Sequence, residues 1–376
     1  MAELPDEAYV VAMASLPKMG PVRLRKLIEF GAVNETWAAL CSRSITAERL
    51  NLSARRDGVD VVNEWCRTAV TLNPAELWQR HCEANIGVSL RGSAAFPSVL
   101  VDDDDPPAVL FWDGDIDHIA GARVAIVGTR RATRYGIDVA NELARDLSLA
   151  GVSVVSGLAL GIDSAAHAGA IAVDGAPPIA VVGSGLNHIY PRENRPLWRQ
   201  VVERGVVVSE YPLDAPAVAW QFPARNRIIA ALADVVVVVE SQVTGGALGT
   251  AMEAARRGTP VLAVPGPVTA PSSAGTNQLL FDGCSPVRDA SDVLLVLGLE
   301  PVSRRTATEH RHAPIGDDAV VLAALPWQST PVEQLINDTG FTLGAVMVAL
   351  NHLESTGWVV QAAGRVERVA RASVNL

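Results

Sequence analysis

The chain is 376 residues long, 49% hydrophobic and 19% charged, an ordinary globular composition with room for two or three domains. A formal net charge of −10 argues against coating of nucleic acid by bulk positive charge but leaves room for a local basic pocket; with lysine only at Lys18 and Lys26, arginine and backbone N–H groups are left to build any anion site. The start, MAELPDEAYVVAMASLPKMG, lacks the basic and apolar regions of a secretory signal, Val235–Val239 is only strand-length, and Cys41, Cys66, Cys82 and Cys284 form no CxxC pair, so we expect a cytoplasmic chain with no membrane span, disulfide framework, metal or cofactor.

Residues 1–85 read as helical. Tyr9–Phe30 carries apolar residues at helical spacing, broken at Leu16-Pro17-Lys18-Met19-Gly20-Pro21, which fits helix, tight turn and second helix. Such a helix-hairpin-helix or SAM-like unit can hold a phosphate on the N–H groups of its turn, or it can serve only for packing. His81-Cys82 has no second pair at zinc-ligand spacing and reads as ordinary packing residues.

Residues 87–300 change character. Phe96-Pro97 and Asp105–Phe111 lead into apolar runs at Arg123–Val127, Val152–Val155, Ile179–Val182, Val206–Ser209, Val235–Glu240 and Val261–Val264. Helical stretches at Tyr135–Leu149, Ile162–Val173, Arg195–Glu203, Arg225–Leu232, Ala247–Arg257 and Ala274–Phe281 separate or follow them. Unbroken Val/Ile/Ala strands alternating with helices predict an α/β fold: an extended, Rossmann-like, doubly wound and mainly parallel sheet covered on both faces. A polar linker follows over 301–317. Residues 318–376 read as three helices (Val320–Leu325, Val332–Thr339, Thr342–Ser355) and a hairpin (Gly357–Val360 with Val366–Val369), a winged-helix plan in which Thr330 is expected to cap the helix carrying Glu333.

Ligands of doubly wound sheets sit beyond the carboxyl ends of the strands. The segments there are Gly128-Thr129-Arg130, Ser156-Gly157 running to Asp163, Gly183-Ser184-Gly185 with Tyr190-Pro191-Arg192-Glu193-Asn194, and Thr244-Gly245-Gly246 running to Thr250. Two glycines before a helix suit a phosphate, although they also suit a plain tight turn. Arg130, Arg192, Arg225 and Arg227, with Asn226, are candidates for a local positive pocket, each also readable as a surface charge. Tyr190, Tyr211, Trp220 and Phe222 are unranked candidates for base stacking. There is no GxGxxG turn, P-loop, GxSxG elbow or HExxH motif. Asp163 and His167, four apart on a helix, are an acid–base pair or, on the blander reading, a helix cap and a packing residue.

Five ordered motifs, Ile126–Arg130, Ser156–His167, Gly183–Leu186 with Tyr190–Asn194, Phe222–Ala230 and Thr244–Ala251, resemble the DprA/Smf (DNA-processing protein A) family over roughly residues 90–300. The resemblance implies a dimeric, non-enzymatic protein that binds single-stranded DNA and loads a RecA-type recombinase past single-strand-binding protein, in natural transformation or recombination. It implies DNA contact at Arg130 and at Arg192, the basic residue of the Tyr-Pro-basic-Glu-Asn motif. A second resemblance, of Gly245–Glu253 to the loop of LOG-like nucleoside-monophosphate hydrolases, implies nucleotide chemistry with Glu253 as the reactive carboxylate. A third reading makes the tail a duplex-DNA reader through Arg365, Arg368 and Arg371, diluted by Glu333, Glu354 and Glu367; Thr342–Ser355 carries no lysine or arginine, so a packing or protein-contact role fits better.

Overall fold

The computed structural model describes residues 4–52, 57–300, 313–362 and 364–369; residues 301–312 of the expected linker, and Arg371, lie outside them. Five helices come first: α1 (Asp6–Ala14), α2 (Pro21–Ile28), α3 (Val33–Cys41), α4 (Gly58–Ala69) and α5 (Pro74–Glu83). The α1–α2 turn forms as expected, with Gly20 extended before Pro21 at the first helical position, where the missing N–H costs nothing. Its cations are neutralised within the fold: Lys18 pairs with Glu64, Arg23 with Asp57 and Arg25 with Asp105. Gly20 itself lies 3.5 Å, measured from an ideal Cβ, from the Trp220 ring. These contacts favour the packing reading of the hairpin over the phosphate-binding one. Val10, Met13, Leu27, Leu40 and Trp65 form one apolar core with Phe111, Ala180, Val207 and Trp198, so the helices cover one end of the sheet rather than hanging from it.

The sheet has nine strands: β1 (Gly87–Leu90), β2 (Val109–Gly114), β3 (Arg123–Val127), β4 (Ser153–Ser156), β5 (Ile179–Val182), β6 (Val206–Ser209), β7 (Val235–Val238), β8 (Val261–Ala263) and β9 (Ser285–Pro286). Between them run α6 (Arg134–Leu149), α7 (Ile162–Ile171), α8 (Arg195–Arg204), α9 (Gln221–Leu232), α10 (Gly246–Arg256) and α11 (Ala274–Phe281), and α12 (Ala290–Val296) follows. The spatial order is β1-β2-β6-β5-β4-β3-β7-β8-β9. The strands from β3 to β9 pair in parallel, while β2 pairs antiparallel with both β1 and β6. Every residue of β3 to β7 is buried, which is why these strands read as continuous apolar runs. The order reverses between β3 and β7, the switch point at which such sheets leave a crevice.

Two differences from the sequence reading matter below. Helix α9 starts at Gln221, a full turn before the expected Arg225, because Pro223 is tolerated in a first turn. Strand β7 ends at Val238, which frees Glu240 to turn away from the ladder. In the tail, α13 (Gly316–Ala324), α14 (Val332–Thr339) and α15 (Leu343–Ser355) pack with β10 (Thr330–Pro331), β11 (Val359–Ala362) and β12 (Arg365–Arg368), in sheet order β10-β12-β11, a winged-helix domain. Thr330 does not cap α14. It pairs with Val366, its Oγ donates to the Gln328 carbonyl at 2.8 Å, and Pro331 takes the cap position. No helix among the described residues is long and apolar enough to cross a membrane.

Candidate nucleic-acid interface

Three loops meet at the carboxyl ends of β3, β4 and β5. The first, Gly128-Thr129-Arg130, is fixed by its backbone: Thr129 N donates to the Glu240 carbonyl (2.8 Å), and Ile162 N donates back to the Thr129 carbonyl (3.3 Å). The second carries Leu158 at φ 52° and Gly161 at φ 82°, left-handed conformations that fold the chain tightly against the first loop. The contact is so close that a Cβ on Gly161 would fall 2.3 Å from the Thr129 carbonyl oxygen. The third runs from Gly183 to Pro191. A Cβ on Gly183 would stand 3.2 Å from the Phe222 ring, so this glycine lets α9 bring Phe222 to the mouth of the crevice.

The result is a recess of about 310 Å³, including its open mouth, lined by Arg130, Gly157, Ala159, Leu160, Tyr190, Pro191, Phe222 and Arg225. The Arg130 guanidinium lies over the Phe222 ring, 5.0 Å from its centroid, and the Tyr190 ring stands 5.4 Å from the same centroid at a 36° tilt. Tyr190 is 46% exposed. A cation over an aromatic face contributes roughly 0.5–1 kcal/mol at an exposed site, enough to bias the arginine's position without immobilising it. Of the aromatic candidates, Tyr190 and Phe222 therefore line the recess. Tyr211 is buried, and its ring meets Trp220 edge-on at 6.0 Å, away from the lining.

Arg225 forms the floor rather than a gripping side chain. The early start of α9 turns it inward; it is 5% exposed, donates Nη1 to the Val181 carbonyl, and lies directly beneath Gly157. Burial lowers its pKa to about 10, with Asp163 opposing the shift, so it stays charged at neutral pH. Burial in turn raises the Asp163 carboxyl, against the pull of Arg225 and of the N–H groups of Ala159 and Gly157, the last donating to it at 3.2 Å.

Several expected contact residues serve the scaffold instead. Ser156 is buried and donates to the Ile126 carbonyl. Asn194 is buried and donates to Leu158 O and Ser164 Oγ, both at 2.8 Å, tying the third loop to the second. Arg227 faces away from the recess, bound to Glu210 and Asp105. Asn226 donates to the Gly246 carbonyl at 3.3 Å, holding the Thr244-Gly245-Gly246 turn beside the recess but outside its lining. Thr250 is 1% exposed inside α10. Arg130 and Arg192 remain exposed, with no ion pair among the described residues.

Glu240 is the residue that sequence reading missed. It is 2% exposed at the switch point, and its carboxylate accepts from Thr133 N (2.9 Å) and Thr133 Oγ1 (2.6 Å) at the start of α6. A helix N-terminus at this place is where a dinucleotide fold would seat a phosphate; here the protein's own carboxylate occupies it. Among the described residues, the carboxylate expected for a hydrolase does not line the recess. Glu253 is paired with Arg256 and Arg257, and Arg257 also holds Asp103. Asp163 faces Gly157 N rather than His167, the cap position of α7 belongs to Gly161, and burial holds the His167 imidazole at about 4, neutral at physiological pH.

Among the described residues of the tail, the two arginines expected to read duplex are already engaged. Arg365 donates to Ser329, and Arg368 donates to the Leu322 carbonyl and lies over Trp327. A wider hollow on this domain, about 700 Å³ including its open mouth, is lined by Val332, Glu333, Leu343, Met347 and Arg365 among others and shares no lining residue with the recess.

Comparison with known proteins fits this geometry. The family described as DNA recombination-mediator protein A matches residues 88–298, and a DprA winged helix domain matches residues 305–365. Protein Smf of Escherichia coli (strain K12) is 35% identical over 288 residues, 74% of this chain and 76% of Smf. Among solved structures, DNA processing protein A (DprA) of Streptococcus pneumoniae superposes with a TM-score of 0.65 at 29% identity, over 78% of this chain and 98% of that one. DNA processing protein A of Helicobacter pylori, studied for its single-stranded DNA binding mode, gives a TM-score of 0.51 at 30% identity over 56% of this chain and 95% of that one.

Proposed function

The chain belongs to the DNA recombination-mediator protein A family, and we propose that it binds single-stranded DNA in the recess around Arg130 and, as a dimer, passes that strand to a RecA-type recombinase in DNA uptake or recombination. The observation that carries the reading is the unpaired Arg130 guanidinium stacked on Phe222 beside the half-exposed Tyr190. A single strand offers phosphates and unstacked base faces together, whereas a duplex hides its base faces in its own stack. Each base on an aromatic platform is worth roughly 1–3 kcal/mol, so one or two stacked bases supply selectivity that a lone arginine cannot.

The rest of the site supports a binding role. Arg192 adds a second exposed cation at the rim, and the packed glycines bring backbone close to a threaded strand. Among the described residues no carboxylate, thiol or imidazole lines the recess, which supports a carrier of DNA rather than a nuclease or nucleotide hydrolase. Few phosphates are neutralised, so salt dependence is shallow, with about 0.7 of slope in log K against log salt per phosphate for a single strand. Cytoplasmic action follows from the substrate and the recombinase.

The test is titration of the full chain with labelled oligo-dT and with duplex of the same length, followed by recombinase ATPase on strand precoated with single-strand-binding protein. The reading expects preference for the single strand and a shortened ATPase lag. Equal affinity for both DNA forms, or release of free base from nucleoside monophosphates, overturns it.

A further inference from the structure

Fifteen arginines lie between residues 87 and 300. Ten bind carboxylates or backbone carbonyls, among them Arg123, Arg204, Arg225, Arg227 and Arg257. The five whose guanidinium bonds no oxygen among the described residues are Arg130, Arg131, Arg192, Arg195 and Arg199. Two of these, Arg195 and Arg199, are four apart on one face of α8, and a third, Arg192, opens the 3-10 turn Arg192–Asn194 that leads into it. All three are exposed, while Trp198 and Val201 of α8 are buried in the core. The stripe begins at Arg192, immediately after Tyr190 and Pro191 of the recess lining, and runs down α8 away from the crevice. Glu203, one turn beyond Arg199 on the same face, closes it.

Arg195 and Arg199 are a like-charge pair at i and i+4, an arrangement that disfavours the helix unless an anion lies between them. Arg195 and Arg199 stand about 6 Å apart along the helix axis, at 1.5 Å per residue, a reach suited to successive backbone phosphates of a strand. We infer that the outer face of α8 is a second DNA-binding segment, with Arg195 and Arg199 taking phosphates of the strand as it leaves the recess past Tyr190 and Arg192. This rests on the reading of the recess as the primary site. It adds an exit direction and a footprint: short strands fill the recess alone, and longer ones gain the stripe.

The experiment compares oligo-dT of about 4 and about 16 nucleotides, the span of common single-strand site sizes, on wild type, Arg195→Ala/Arg199→Ala, Arg195→Lys/Arg199→Lys and Arg130→Ala. Both stripe residues are exposed, so the fold is not at stake, and the lysine pair keeps charge. The alanine pair is expected to bind the short strand as wild type does, to lose the gain in affinity with length, and to lower the salt slope on the long strand by about 1.4 for two phosphates. Across a fourfold rise in salt, wild type then loses about sevenfold more affinity than the alanine pair, and the lysine pair follows wild type. Unchanged length dependence and slope in the alanine pair overturn the inference, as does equal loss on short and long strands. Arg130→Ala separates the two readings: if it leaves short-strand binding intact, the recess is not the primary site, whatever the stripe variants do.

Discussion

Replacing Gly161 by alanine probes the joint between the second loop and the loop carrying Arg130. Gly161 has φ 82° and ψ −124°, outside the regions open to L-residues, which costs roughly 1–3 kcal/mol. Its new Cβ would also lie 2.3 Å from the Thr129 carbonyl oxygen and 2.9 Å from Arg130 backbone atoms, none of them the free end of a side chain. Relieving that overlap moves one loop off the other and strains the Ile162 N–H to Thr129 carbonyl bond, for roughly a further 1–3 kcal/mol of overpacking. The expected loss of about 2–6 kcal/mol is visible as a lowered urea midpoint, and oligo-dT affinity falls because Arg130 leaves the Phe222 face. Gly151→Ala is the matched control. It has φ 79° but nothing within 4 Å of its Cβ, so it carries the conformational cost alone and leaves DNA binding untouched. If the two variants are equally stable and bind DNA equally, the close packing of the two loops is refuted.

Phe222→Ala should weaken oligo-dT binding by roughly 5- to 150-fold, from the 1–3 kcal/mol of a base stack, with Phe222→Trp restoring it and Phe222→Leu failing to; anisotropy titration decides, and full affinity in the leucine variant removes the stacking role. Arg227→Ala should cost about 3–5 kcal/mol in urea unfolding, because it strands the buried Glu210 carboxylate, while the folded variant binds oligo-dT normally; loss of binding without loss of stability would return Arg227 to the site. Glu240 supplies a pH test. Burial raises its carboxyl above the ordinary 4.5, with bonds from Thr133 and Ser272 offsetting only part. The fold therefore holds that proton more tightly than the unfolded chain, and the contribution present below about 4.5 is lost as pH rises through the folded value. Glu240→Gln, which cannot ionise, should gain on wild type as pH rises above about 4.5 in paired urea titrations; a constant or shrinking difference contradicts the assignment.

The parallel sheet was legible because strands buried on both faces leave no polar alternation: the valines of β6 and β7 announce themselves. The loops beyond those strands were legible for the same reason, as the first polar residues after each run. Orientation was not. Arg225 and Arg227 are two residues apart, but on α9 that is more than half a turn; Phe222 and Arg225, at i and i+3, share the recess while Arg227 faces Glu210. Reading the helix from Arg225 leaves out its first turn, Gln221 to Ala224, and with it the relation of Phe222 to Arg225. Strands β1, β2 and β9 escaped notice because they are short or carry Gly87, Gly114 and Pro286. Glu240 escaped because nothing local in the sequence reveals that a carboxylate will fold back onto the start of α6, more than a hundred residues earlier in the chain.

Binding of labelled oligo-dT to wild type, Arg130→Ala and Arg130→Lys across a salt series tests the central claim most directly. The account predicts that alanine weakens binding to the single strand and lowers the salt slope by about 0.7, while lysine keeps the slope and recovers only part of the affinity, having charge without the planar stack on Phe222. Wild-type affinity and slope in Arg130→Ala would contradict it and move the DNA site out of the recess.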